Sequence, residues 1–150
     1  MKRAGLMLLA LLVPAVSAFA AHPAPADLDA IKAIPEWSKR SDFALDHASL
    51  TLDRAKADNK TGDMTKVQAD LDEIDASAKV CFSALQDSGK KPRNDKHYKH
   101  AELKLRELAR HLMSFREDVP FERQDAVTVV LKNVQDIHDR LLLEIMGKGR

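Results

Sequence analysis

Met64, Val67, Leu71, Ile74, Ala78, Cys81 and Leu85 recur at alternating steps of three and four residues. Such spacing keeps every one of them on a single stripe of an α-helix, and no strand can do the same with a repeat of two. Three more stretches carry the same signature. Trp37, Ala44, Leu45, Ala48, Leu52 and Ala55 form one series. Tyr98, Ala101, Leu105, Leu108, Leu112 and Phe115 form the next, and Val127, Val130, Leu131, Val134, Ile137, Leu141 and Ile145 the last. The four series span 18 to 22 residues, and no segment sustains apolar–polar alternation. The pattern predicts an all-α chain.

Turn and cap residues divide the series. Thr61-Gly62-Asp63 separates the first helix, over roughly 36–59, from the second, which runs to about Gln86. Ser88-Gly89 ends the second, and Asn94 or Asp95 caps the third. Val119-Pro120 breaks the third, and Gly147 ends the fourth. Ahead of these, Asp27 is placed to cap a short helix bearing Leu28, Ile31 and Ile34, stopped by Pro35. Short connections place sequential helices side by side and antiparallel. The expected fold is therefore an antiparallel up-down four-helix bundle over 36–150, preceded by a leader with a short helix over 21–35. An array of helical hairpin repeats is the alternative, but its helices run to about a dozen residues.

Residues 1–20 read as a secretory signal peptide. Lys2 and Arg3 precede an apolar run from Ala4 to Val16, and Ala18-Phe19-Ala20 supplies the small-residue cleavage pattern, with a cut after Ala20 or, as runner-up, Ala18. The 13-residue run is short against the ~20 needed for a permanent span. A second apolar stretch of spanning length does not occur, so no transmembrane segment is expected after signal removal. The expected location is periplasmic or secreted. Cys81 is the one cysteine, which excludes an intramolecular disulfide and C-x-x-C-H haem attachment. Its place in the apolar series predicts an inert, buried thiol.

Charge is unevenly placed. Residues 27–87 carry thirteen acids and eight bases, whereas 90–111 carry eight bases against three acids. On a helical wheel Lys96, Lys99, Arg106 and Arg110 gather on the outer side of the third helix, with Leu103 among them. They make a candidate surface for an anionic envelope component or an acidic partner. Without Lys2 and Arg3 the chain holds 22 bases and 23 acids, and the segment has few aromatics, so nucleic acid is not an expected partner.

Other candidates are weaker in kind. His97 and His100 stand one turn apart and can reach one metal ion, though with no obvious third ligand but Asp95. His138 lies on or beside the apolar face of the last helix, where a bundle histidine can ligate b-type haem. Its plainer reading is a boundary histidine bonded to an acid such as Asp46 or Asp75. Phe43, Leu50 and Ala57 recur every seven residues, roughly opposite the main apolar face of the first helix. That second stripe is either covered by Leu28, Ile31 and Ile34 folding back over it or marks a contact with a partner protein or second copy. No nucleophile–base constellation or glycine-rich phosphate loop is present, and the expectation is a non-enzymatic protein without a cofactor.

The stretch from Lys99 to Leu108, KHAELKLREL, with the tail Ile145-Met146-Gly147-Lys148, resembles a group of small exported bacterial proteins of unassigned function. The likeness covers about a third of the chain and implies an envelope setting, with no activity or site residues attached.

Overall fold

A computed structural model describes residues 27–147. The signal peptide expected over 1–20, the first part of the leader and Lys148 lie outside them. All regular secondary structure among the described residues is helical: α1 (Leu28–Lys32), α2 (Trp37–Thr61), α3 (Met64–Asp87), α4 (Lys96–Asp118) and α5 (Phe121–Ile145), with a 3₁₀ turn at Pro92–Asn94. None of these helices is long and apolar enough to cross a membrane.

The helix ends follow from local chemistry. Gly62 closes α2 in the left-handed region at φ 77°, where its N–H donates to Asn59 and Asp58 carbonyls. Asp63 then caps α3, accepting from the Lys66 N–H at 3.2 Å. Of the two candidate caps for α4 it is Asp95, accepting from the His97 and Tyr98 N–H groups at 2.7 and 3.3 Å. Pro120 precedes α5 without a side-chain cap.

The core is built from the periodic series. Leu45, Leu52, Leu71, Ile74, Leu85, Leu105, Leu112, Phe115, Val127 and Leu141 are fully buried. α1 lies against α2 and α3 and buries Leu28 and Ile31, each contributing about 1.5–3 kcal/mol. The Tyr98 hydroxyl is buried and donates to the Leu85 carbonyl at 2.7 Å, tying the start of α4 to the end of α3.

Cross-links between helices give their directions. Ser41–Cys81, His47–Glu73 and Arg54–Asp70 show α2 and α3 antiparallel. Glu102–His138 joins α4 to α5 across their two-residue turn. Asp42–His97, Asp46–Lys104 and Asn59–Asp118 rise together, so α2 and α4 lie parallel. Asp75–Asn133 and Gln86–Glu144 do the same for α3 and α5. The eight residues from 88 to 95 thus carry the chain across the end of the molecule, and α3 and α4 meet only slightly. The expectation that every sequential pair would pack side by side holds for α2/α3 and α4/α5 and not for α3/α4. An eight-residue connection reaches up to about 27 Å, more than enough to step past an adjacent helix.

Candidate functional site

α4 presents three distinct faces. Its core face is apolar, and Asp95 at its start leaves Lys96 and Lys99 in the first turn pointing to solvent. Lys96, Lys99, Leu103, Arg106 and Arg110 are all exposed on the outer face, Leu103 at 56 %. Among the described residues Lys96 and Lys99 have no carboxylate within 4 Å, and Arg110 approaches only Glu107, at 3.7 Å. Three of the four expected cations are therefore available to a partner.

Arg106 differs. On the flank toward α5 it donates through Nε at 3.1 Å, and also through a terminal nitrogen, to Oε1 of Glu102, a side chain only 7 % exposed. Nε2 of His138 lies 2.8 Å from the same oxygen, and Nδ1 of His138 is 3.0 Å from Asp139. Burial alone would raise the Glu102 carboxyl, but the bonds from Arg106 and His138 outweigh it and hold the group below the ordinary glutamate value. His138 was expected either to ligate haem or to bond Asp46 or Asp75. Both its nitrogens are instead taken up by Glu102 and Asp139, leaving neither directed at an open coordination position. Asp46 pairs with Lys104, and Asp75 with Lys79 and Asn133. The α4/α5 hairpin brings Glu102 opposite His138, and that juxtaposition decides the partner.

Below this cluster an open groove of about 690 Å³ runs between the two helices, floored by Ala109 and Met113 and rimmed by Arg106, Arg110, Lys132 and Asp136. On the opposite flank His97 packs edge-on against Trp37, ring centres 5.1 Å apart, with Nδ1 3.8 Å from Asp42. His100 is exposed. The pair expected to share a metal is thus divided between a packed and a solvated environment. Among the described residues no group of three or more His, Cys, Asp or Glu side chains is arranged to hold a metal ion.

The second stripe on α2 is split. Phe43 is half-buried and packs against the core, while Leu50 is 62 % exposed. Phe43→Asp is therefore expected to lower thermal stability by about 1–3 kcal/mol, by placing a carboxylate against apolar neighbours. A variant with unchanged melting temperature would show that Phe43 contributes nothing to packing.

The sequence reading missed a polar seam between α2 and α3. His47 is buried and lies 2.8 Å from Glu73, and Arg54 donates to Asp70 at 2.7 Å and to Glu73 at 2.5 Å. Burial works against ionised Glu73, yet the bonds from His47 and Arg54 leave it lowered overall. Asp70 Oδ2 and Thr51 Oγ1 are buried without a hydrogen-bond partner among the described residues. The available signal was the i, i+3, i+7 spacing of Asp70, Glu73 and Ser77 beside the apolar series.

Glu73 and Glu102 are expected to contribute to the acid limit of the fold. Each has a folded-state value below its unfolded one, so its contribution is present above the unfolded value near ~4.3 and lost as pH falls through the folded value. Denaturant unfolding between about pH 5 and 3 is expected to show stability falling steeply, with a shallower slope in the Glu73→Gln/Glu102→Gln double variant. Equal slopes in the two proteins would mean other carboxylates control the transition.

Comparison with protein-family models, with characterised proteins and with solved structures returned no match.

Proposed function

We propose that this chain is an exported, non-enzymatic helical interaction module of the bacterial envelope, which binds an anionic component through the outer face of α4. Its long helices form a four-helix bundle of two antiparallel hairpins, a rigid support for that face. The observation that carries the reading is the state of the cations. Lys96 and Lys99 are exposed on one stripe with no carboxylate within 4 Å among the described residues, and exposed Arg110 beside them approaches only Glu107, at 3.7 Å. In the acidic α2/α3 hairpin, by contrast, Arg40, Arg54 and Lys79 are each paired within 2.7 Å. Cations left unpaired on a fixed helix keep their field for a ligand, and cations already bonded to carboxylates do not. The signal-like start of the sequence supports the envelope setting.

The pairing of Arg106 decides which variant tests this. Reversing Arg106 would set a carboxylate beside buried Glu102 and damage the fold, so Arg106 is left in place. Lys96→Gln/Lys99→Gln/Arg110→Gln removes the exposed charge alone. With about 1 kcal/mol per cation near an anionic surface, the triple variant is expected to lose roughly 10²-fold in binding to phosphatidylglycerol vesicles at low salt. Its circular dichroism and melting temperature should stay close to the parent's. Wild-type binding should weaken as salt shortens the screening length. Wild-type chain that ignores both anionic vesicles and a sulfated polysaccharide column at low salt would leave α4 as a solvated face and sink the proposal.

A further inference from the structure

The exposed apolar side chains are concentrated on one hairpin. Of the large apolar residues exposed among the described residues, all but Leu50 belong to α4, to α5 or to the residue after it: Leu103, Met113, Phe121, Val129, Leu143 and Met146. Charge on the same hairpin is sorted by helix. The outer face of α4 carries Lys99, Arg106 and Arg110, with Glu117 the exception, while the outward stripe of α5 carries exposed Asp125, Asp136 and Asp139, with Lys132 the exception. An acidic partner seated across both helices would meet those three aspartates. It can therefore account for α4 and not for the apolar residues of α5.

A surface with bases on one helix, acids on its neighbour and apolar residues along both is complementary to itself. Under a two-fold axis the basic helix of one copy faces the acidic helix of the other, and the same patch serves both subunits. The size is adequate. The 23 residues of α4 span about 35 Å, and two helices side by side cover about 20 Å in width, so the face offers roughly 700 Å². Standard specific interfaces bury about 800 Å² per partner. We infer that the outer face of the α4/α5 hairpin is a homodimer interface, closed by a second copy of this chain. The inference goes beyond the anionic-partner reading, and the two compete for Lys99 and Arg110, which the dimer covers and the dissociated monomer leaves free for an anion.

Sedimentation velocity over a dilution series tests it. The purified chain should be dimeric at about 100 µM and dissociate on dilution. Val129→Asp and Leu143→Asp should each weaken the dimer at least about tenfold with unchanged circular dichroism, because both positions are exposed in the monomer. Arg110→Glu should weaken it through charge, and Asp136→Lys in the same chain should restore it. Wild-type protein that stays monomeric at about 100 µM overturns the inference. So does a dimer indifferent to both aspartate substitutions. A monomer that still binds anionic vesicles would refute the dimer and leave the function proposed above standing, which separates the two failures.

Discussion

Native Cys81 is expected to react with a thiol reagent about 10³-fold more slowly than the same residue in the unfolded chain at about pH 8. Cys81 is fully buried on α3, its Sγ 3.3 Å from the Ser41 hydroxyl. Burial pushes the thiol up to about 12, against a smaller opposing effect of the Ser41 bond. An ordinary thiol near 8.5 is about a quarter thiolate at pH 8, and one at about 12 is roughly one part in 10⁴ thiolate, which gives the ratio before access is considered. Labelling with a chromogenic disulfide should be slow in buffer and immediate in concentrated guanidinium. A native rate within about tenfold of the unfolded one would mean that Cys81 is reached without unfolding, contradicting its packing.

The second large effect is Phe115→Ala. Phe115 is among the largest fully buried side chains, on α4 one turn before its end, where α2, α4 and α5 converge near Asn59, Asp118 and Phe121. Its removal takes away a ring's transfer energy and leaves a cavity, an expected loss of about 3–5 kcal/mol. Denaturant unfolding followed by circular dichroism measures it directly. The thiol gives a second readout. If Cys81 reacts only from opened molecules, each ~1.4 kcal/mol lost should speed labelling tenfold, so the variant should label more than about 10²-fold faster. A loss under about 1 kcal/mol would mean that the neighbours collapse into the space.

The burial of Phe115 and Cys81 was readable in the sequence because burial along a helix is a one-dimensional property. Every residue of the 3–4 series in α3 from Val67 to Leu85 is buried. Asp63, Asp95 and Gly62 acted at the turns where their chemistry placed them. What periodicity cannot carry is which helix lies beside which. Asp46, Asp75 and Glu102 look alike as acids near an apolar stripe. His138 bonds Glu102 because α5 folds back on α4, while Asp46 faces Lys104 because α2 runs parallel to α4. The same limit hid the His47–Arg54–Asp70–Glu73 seam, whose members are separated by as many as 26 residues and meet only once α2 and α3 pair. For the basic face, the wheel placed Lys96, Lys99 and Arg110 correctly as exposed. It took Arg106 as equivalent because a wheel shows direction and not partners.

Helix direction has a mechanical consequence. Trp37 meets His97, Arg40 meets Asp87, and Gln86 meets Glu144, so α2 begins and α5 ends at the same end of the molecule. The two tight turns, at Gly62–Asp63 and Val119–Pro120, lie at the other. Tension applied between the first and last helices would therefore peel contacts apart one layer at a time from the open end. It would not load them all together in shear. Such a molecule is expected to yield to modest force when pulled by the start of α2 and the end of α5.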